Sequence, residues 1–124
     1  MIRKNVVSAV LLICCLLLAS CTTKSADVYN WDDSKLYDSS LLGKKVTIEF
    51  VVVSSYNPGT ICYLNSHLDY KTYLTAVIPS DALSKFASKP EDYYLNEKIK
   101  VTGILGGSGR PQIIIEDPLQ IEIL

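Results

Sequence analysis

Lys44-Lys45-Val46-Thr47-Ile48-Glu49-Phe50-Val51-Val52-Val53-Ser54-Ser55 is the stretch on which the fold turns. Val46, Ile48, Phe50 and Val52 share one face, and Thr47, Glu49, Val51 and Val53 share the other. That is the period of two which a strand imposes on its side chains. β-Branched and aromatic residues suit a pleated, half-buried surface. Residues 44–55 are therefore expected to form one long strand with a clearly apolar face.

Toward the C-terminus the pattern repeats in shorter units. Tyr56-Asn57-Pro58-Gly59 is a turn signal, and Thr60 to Ser66 (TICYLNS) reads as a second strand. A polar connection, His67 to Lys71, leads to a third strand, Thr72 to Pro79. Ser80 is expected to cap a helix that has Asp81 in its first turn. The helix runs to about Ser88, buries Leu83 and Phe86 or Ala87, and is stopped by Lys89-Pro90. After a turn at Asn96-Glu97, Lys98 to Leu105 forms a fourth strand. Ile99, Val101 and Gly103 share one of its faces, with Gly103 permitting a bend or a close backbone approach. Gly106-Gly107-Ser108-Gly109 is a hairpin loop, Pro111 to Asp117 a fifth strand, and Leu119 to Leu124 continues extended after Pro118.

Residues 41–124 thus order as β-β-β-α-β-β. An all-β domain with one short helix in that order is the arrangement of the five-stranded Greek-key barrel, the OB-fold. Its binding face is flanked by the loops after strands one and four, here residues 55–59 and 106–110.

Toward the N-terminus the composition changes twice. Residues 22–40, TTKSADVYNWDDSKLYDSS, are polar and acidic and read as a tether, up to about 60 Å long if extended. Trp31, Leu36 and Tyr37 are unusual in a tether. Two readings of them stand: docking on the domain or a partner, or a short helix or turn that packs locally. Upstream, Arg3 and Lys4 precede Val6–Ala19, an apolar run of 14 residues. A membrane-spanning helix needs about 20, whereas an export signal needs a run of this length with these flanks. The junction Leu18-Ala19-Ser20-Cys21 resembles the bacterial lipobox. That resemblance implies cleavage of residues 1–20, acylation of Cys21 with chains such as palmitate, and attachment to a membrane outside the cytoplasm. Thr22, in place of an Asp, points to the outer membrane in a two-membrane host.

Cleavage alters the inventory. Of the 4 cysteines in the chain, Cys14 and Cys15 leave and Cys21 carries lipid. Only Cys62 remains, so the mature domain has neither a disulfide nor a cysteine metal site. Cys62 lies in an apolar strand pattern and is expected to be buried. Loss of Arg3 and Lys4 leaves 10 basic residues against 13 acidic ones, a net charge of −3. Strong sequence-independent binding of nucleic acid generally needs a basic surface, which this chain lacks.

No enzymatic constellation is present, and no cofactor or metal is expected. His67, the single histidine, lies beside Asp69, too few ligands for zinc. The Gly106–Gly109 run lacks the Lys-Ser/Thr of a phosphate loop. Glu91-Asp92 and Glu116-Asp117 read as solvated turns. A binding surface fits better. Stacking aromatics and a cation along a backbone path are what an OB-fold offers single-stranded nucleic acid. The candidates are Tyr56, Tyr63, Tyr70, Tyr73, Lys71 and Arg110. Sheet packing is the alternative role for the tyrosines, and a salt bridge to Glu116 or Asp117 that for Arg110.

Gly43-Lys44-Lys45-Val46, Tyr63-Leu64-Asn65, Gly103, Gly109-Arg110-Pro111-Gln112-Ile113 and Asp117-Pro118-Leu119-Gln120-Ile121 together resemble a group of bacterial OB-fold domains. These occur in small exported proteins and beside nucleases. The resemblance covers residues 41–124 and implies a non-enzymatic module for single-stranded nucleic acid. The competing expectation is a cell-envelope module for protein or glycan, which the acidic charge favours. The oligomeric state is left open.

Overall fold

The computed structural model describes residues 27–124 apart from Ser108. The signal run, Cys21, the first part of the tether and Ser108 of the hairpin loop lie outside the described residues. Among the described residues there are eight strands rather than five: β1 Val28–Asn30, β2 Lys45–Val51, β3 Ser54–Tyr56, β4 Cys62–Asn65, β5 Thr75–Ile78, β6 Lys98–Gly106, β7 Gln112–Ile114 and β8 Ile121–Ile123. Two one-turn helices, α1 Ser80–Leu83 and α2 Pro90–Tyr93, separate β5 from β6.

The higher count has three causes. First, the long strand is bent and serves two partners. β2 pairs antiparallel with β6 from Lys45↔Ile104 to Val51↔Lys98. At Val52 the backbone turns to Glu97 and Asn96, whose carbonyl and amide bond its N–H and C=O at 3.0 and 2.8 Å. Val53 N–H then donates to the Asn65 carbonyl, and β3 pairs with β4. Second, Pro118 breaks the last strand. A 3-10 turn at Pro118–Gln120 divides β7 from β8, and β8 pairs with the first half of β6. Third, residues 28–40 are not free. β1 lies parallel to β2 (Val28↔Thr47), Leu36 is buried, and Trp31, Tyr37 and Leu41 pack against the core. Among the described residues, packing reaches back to Val28, well before Leu41. Both readings of Trp31, Leu36 and Tyr37 hold: Ser34–Leu36 is a short 3-10 helix capped by Asp33, and through Leu36, Trp31 and Tyr37 the segment docks on the domain.

The path β2-β6-β7-β5-β4-β3 closes on itself through the bend at Val52 and Val53. β5 and β7 run parallel, and the other barrel pairs antiparallel. Discounting the flanking β1 and β8, this is the Greek-key connectivity expected of the OB-fold. β1 and β8 cover backbone edges that a bent strand and a short last strand would leave open. Inside lie Ile48, Phe50, Val52, Leu64, Ile78, Ile99, Val101, Ile113 and Ile115. The predicted inner face of the long strand is the observed one. Each fully buried aliphatic side chain contributes about 1.5–3 kcal/mol.

The helical region differs from expectation. α1 ends at Leu83, not at Ser88, and its N-cap is Pro79, with no side-chain cap; Ser80 is its first residue. Ala82 is buried, while Leu83 and Phe86 pack partly against the core. Pro90 starts α2 instead of ending a helix, because a missing N–H is harmless at the first helical position. Phe86 meets the buried Tyr94 edge-on at 6.3 Å.

Two motif elements have structural work. A Cβ on Gly103 would lie 3.0 Å from Ile113 Cγ2, 3.2 Å from Gln120 Nε2 and 3.3 Å from the Ile114 carbonyl, so the close approach expected there is real. Gln120 Oε1 accepts from the Glu116 and Asp117 amides at 2.7 and 3.0 Å. Its Nε2 donates to the Thr102 and Ile114 carbonyls at 3.0 and 3.2 Å. The Asp117-to-Ile121 motif is thus a clamp joining β6, β7 and the last turn.

Candidate functional site

Tyr56 and Tyr63 are opposite one another in the β3–β4 ladder. Directly opposed side chains on one face of a sheet meet, and the two rings stack with centroids 6.3 Å apart and planes 19° off parallel. Tyr63 and Asn65 share that face because they are two residues apart, while Cys62 and Leu64 point into the core, each 0% exposed. Burial pushes the Cys62 thiol up to about 12, so the one free cysteine of the described domain is an inert core residue.

The stacked pair lines a concavity of about 490 Å³ together with Ser54, Ser55, Asn65, Tyr70 and Arg110. Arg110 comes from the loop between β6 and β7, and Tyr70 from the β4–β5 connection. Arg110 Nη1 donates to the Tyr70 carbonyl at 2.9 Å. This replaces the salt bridge to Glu116 or Asp117 that the sequence allowed. A carbonyl orients the guanidinium but does not neutralise it, so its charge stays available to an anion.

The floor and one wall are braced. Asn65 Nδ2 donates to Ser54 Oγ at 3.1 Å, and its Oδ1 accepts from Thr75 Oγ1 at 3.0 Å. Ser55 Oγ donates to the Glu91 carbonyl at 2.6 Å, and Asn57 Nδ2 to Glu91 Oε2 at 3.0 Å. Gly59 N–H closes the turn on Asn57 Oδ1 at 2.8 Å. Through these bonds α2 fixes the loop after the long strand, one of the two loops expected to flank the binding face.

Four of the six sequence candidates therefore converge: Tyr56, Tyr63, Tyr70 and Arg110. Lys71 is exposed on the same connection as Tyr70 but does not line the concavity. Tyr73 is elsewhere, as a packing residue. Its ring is 4.3 Å from His67, 5.3 Å from Trp31 and 6.1 Å from Tyr37. Tyr37 ties that cluster to the barrel by donating to the Trp31 carbonyl at 2.6 Å and accepting from Leu74 N–H at 3.3 Å. Burial raises the pKa of the Tyr37 hydroxyl. His67 Nδ1 accepts from the Asp69 amide at 2.9 Å, so this histidine closes its own turn.

Sequence reasoning missed Ser54, Ser55 and Asn65 as lining residues. Asn65 carried a signal: asparagine is depleted in strands, yet here it ends an apolar run and is buried. Among the described residues no cluster of three or more His, Cys, Asp or Glu side chains is placed to hold a metal. Among them, too, no helix is long and apolar enough to cross a membrane.

No family model matches the chain, and no curated relative matches it. Solved structures do. A protein described as an aspartyl-tRNA synthetase from Leishmania major Friedlin aligns with a TM-score of 0.54 at 15% identity over 84% of this chain. An aspartyl-tRNA synthetase from Entamoeba histolytica aligns with a TM-score of 0.53 at 13% identity over 85% of this chain. The chain spans 22% of the length of each synthetase. OBody AM1L10, in a structure bound to hen egg-white lysozyme, aligns with a TM-score of 0.51 at 12% identity over 83% of this chain and 97% of its own. At these identities the likeness is one of fold. The chain has an OB-fold.

Proposed function

We propose that the chain is a lipid-anchored module of a bacterial cell envelope, held outside the cytoplasm through Cys21, that binds single-stranded nucleic acid without catalysis. The observation that carries the binding half is the concavity. It combines a near-parallel tyrosine pair, a third tyrosine and one guanidinium aimed by a carbonyl. Stacked rings take any base, and the cation takes a phosphate. The fold's presence in two proteins named as tRNA synthetases is compatible with that ligand class.

The affinity is low. Two stacked bases at about 2 kcal/mol each and one charged contact of about 1.5 kcal/mol place the dissociation constant on the order of 0.1 mM. The net charge of −3 after cleavage adds nothing favourable. Fluorescence anisotropy of the detergent-solubilised full chain with a labelled single-stranded octanucleotide at low salt tests this. Saturable binding that Tyr63→Ala weakens supports the reading, and no binding at several hundred micromolar protein rejects it. Incorporation of labelled palmitate in a bacterial host, lost in Cys21→Ser, tests the anchor separately.

The second reading is a protein- or glycan-binding module of the envelope. The acidic charge favours it, and so does a protein of the same fold seen bound to lysozyme. Cross-linking in the intact envelope followed by mass spectrometry distinguishes the two. A dominant protein partner supports the second reading, and cross-links to nucleic acid support the first.

A further inference from the structure

A second concavity, of about 460 Å³, is lined by Trp31, Val51, Val53, Ser66, His67 and Leu68. None of the six is an acid, a lysine or an arginine. Leu68 is 73% exposed, Val51 43% and Val53 39%. Contiguous apolar surface of this kind marks a contact site. The Trp31 ring in it is held in place. It lies edge-on to Tyr73 at 5.3 Å and tilted against His67 at 5.6 Å, and its carbonyl accepts the Tyr37 hydroxyl.

The chain itself indicates the occupant. The first described strand starts at Val28, and six residues, 22–27, lie between it and Cys21. Seven peptide steps reach about 24 Å at most. β1 then runs parallel to β2, and Trp31 follows it directly, about 10 Å along the strand from Val28. A membrane that holds Cys21 is thus within reach of the apolar patch. That reach is much shorter than the roughly 60 Å of the 19-residue tether read from the sequence.

We propose that Trp31, Val51, Val53 and Leu68 form a membrane-docking surface, which seats the domain on the lipid layer that holds Cys21. This rests on the lipidation proposed above. Tryptophan is enriched at the headgroup level, where an apolar ring with one polar N–H has both surroundings it needs. The contact is apolar rather than electrostatic. Asp32 and Asp69 flank the patch and are exposed, and the domain is acidic. Anionic headgroups repel such a surface, so zwitterionic lipid is its partner.

Trp31 is the single tryptophan of the chain, so its emission reports on this patch alone. The full lipidated chain is reconstituted into vesicles of phosphatidylcholine and phosphatidylethanolamine, with and without bromine on the upper acyl carbons. Flotation reads the anchor and Trp31 emission reads the dock. Insertion by about 5–10 Å brings the ring to the bromines, so emission shifts to the blue and falls about twofold. Leu68→Asp floats equally but loses the quenching. A chain that floats with unquenched emission overturns the dock and leaves the anchor standing. A chain that fails to float overturns both. Blue-shifted but unquenched emission with a dimeric mass in detergent gives the patch to a second copy, and also overturns the proposal.

Discussion

Two of the aromatic groups on this barrel are put to opposite uses. Tyr56 and Tyr63 stack on the open face of β3 and β4, Tyr56 with 61% of its surface in water. Tyr73, Tyr37, Trp31 and His67 interlock where the N-terminal segment lies against the barrel, and the Tyr37 hydroxyl is bonded on both sides. The first group is a stacked pair that lines an open concavity with the serines, Asn65, Tyr70 and Arg110. The second is interlocked ring against ring, with Trp31 and His67 also lining the second concavity. Residue type does not separate them, since Tyr63 and Tyr73 both belong to strand-forming runs. What separates them is whether another piece of chain covers the ring. Tyr63 and Tyr73 are both half-buried, but Trp31 and Tyr37 of the N-terminal segment lie against Tyr73, whereas the free side of Tyr63 lines the concavity.

The contrast makes opposed demands on substitutions. The largest effect is expected from Tyr73→Ala, which removes the centre of the interlocked group. It costs about 3 kcal/mol of stability, read as a lower urea midpoint with an unchanged slope, and leaves oligonucleotide affinity within about twofold. Tyr63→Ala is expected to do the reverse. Binding weakens by about 2 kcal/mol, roughly thirtyfold, while stability falls by no more than about 1 kcal/mol. If Tyr63→Ala unfolds the domain, or Tyr73→Ala abolishes binding at unchanged stability, the division between the two groups is wrong.

Arg110→Ala is expected to be smaller, about 1.5 kcal/mol in affinity at low salt. Its signature is in the salt series. The slope of log affinity against log salt flattens by about 0.7, one phosphate contact to a single strand. The smallest effect belongs to Tyr37. Burial raises its pKa above 10.0, so the folded chain keeps that proton where the unfolded chain has begun to lose it. Its contribution to stability is whole below pH 10 and declines as pH rises through the folded value. Urea midpoints between pH 9 and 11 should fall, and Tyr37→Phe should make the fall shallower.

Much of the barrel was legible from period alone. Val46, Ile48, Phe50 and Val52 face inward because a strand alternates, whatever it pairs with. Gly103 was legible too: a glycine inside a strand pattern marks a bend or a close approach, and a Cβ there would crowd three atoms at 3.0–3.3 Å. The break after Val51 was not. Nothing in Val51-Val52-Val53 signals a bend; it arises because Val52 bonds to residues 96 and 97 while Val53 bonds to Asn65. β1 was illegible for the same reason. Val28-Tyr29-Asn30 is too short to show a period, and its strand character comes from the edge of β2. At the candidate site the aromatic types were visible, but their grouping was not. Arg110 meets Tyr70 across 40 positions of sequence.

The sequence by itself determined the apolar faces of the barrel strands and the burial of Cys62, because these depend on local alternation. Only the tertiary structure decided that one long strand is shared between two ladders, and that four of six candidate side chains converge while Tyr73 turns to packing. It alone decided that the acidic segment before the barrel is partly built into it. Each of these depends on which distant backbone edge or ring face is left uncovered, and no local pattern records that.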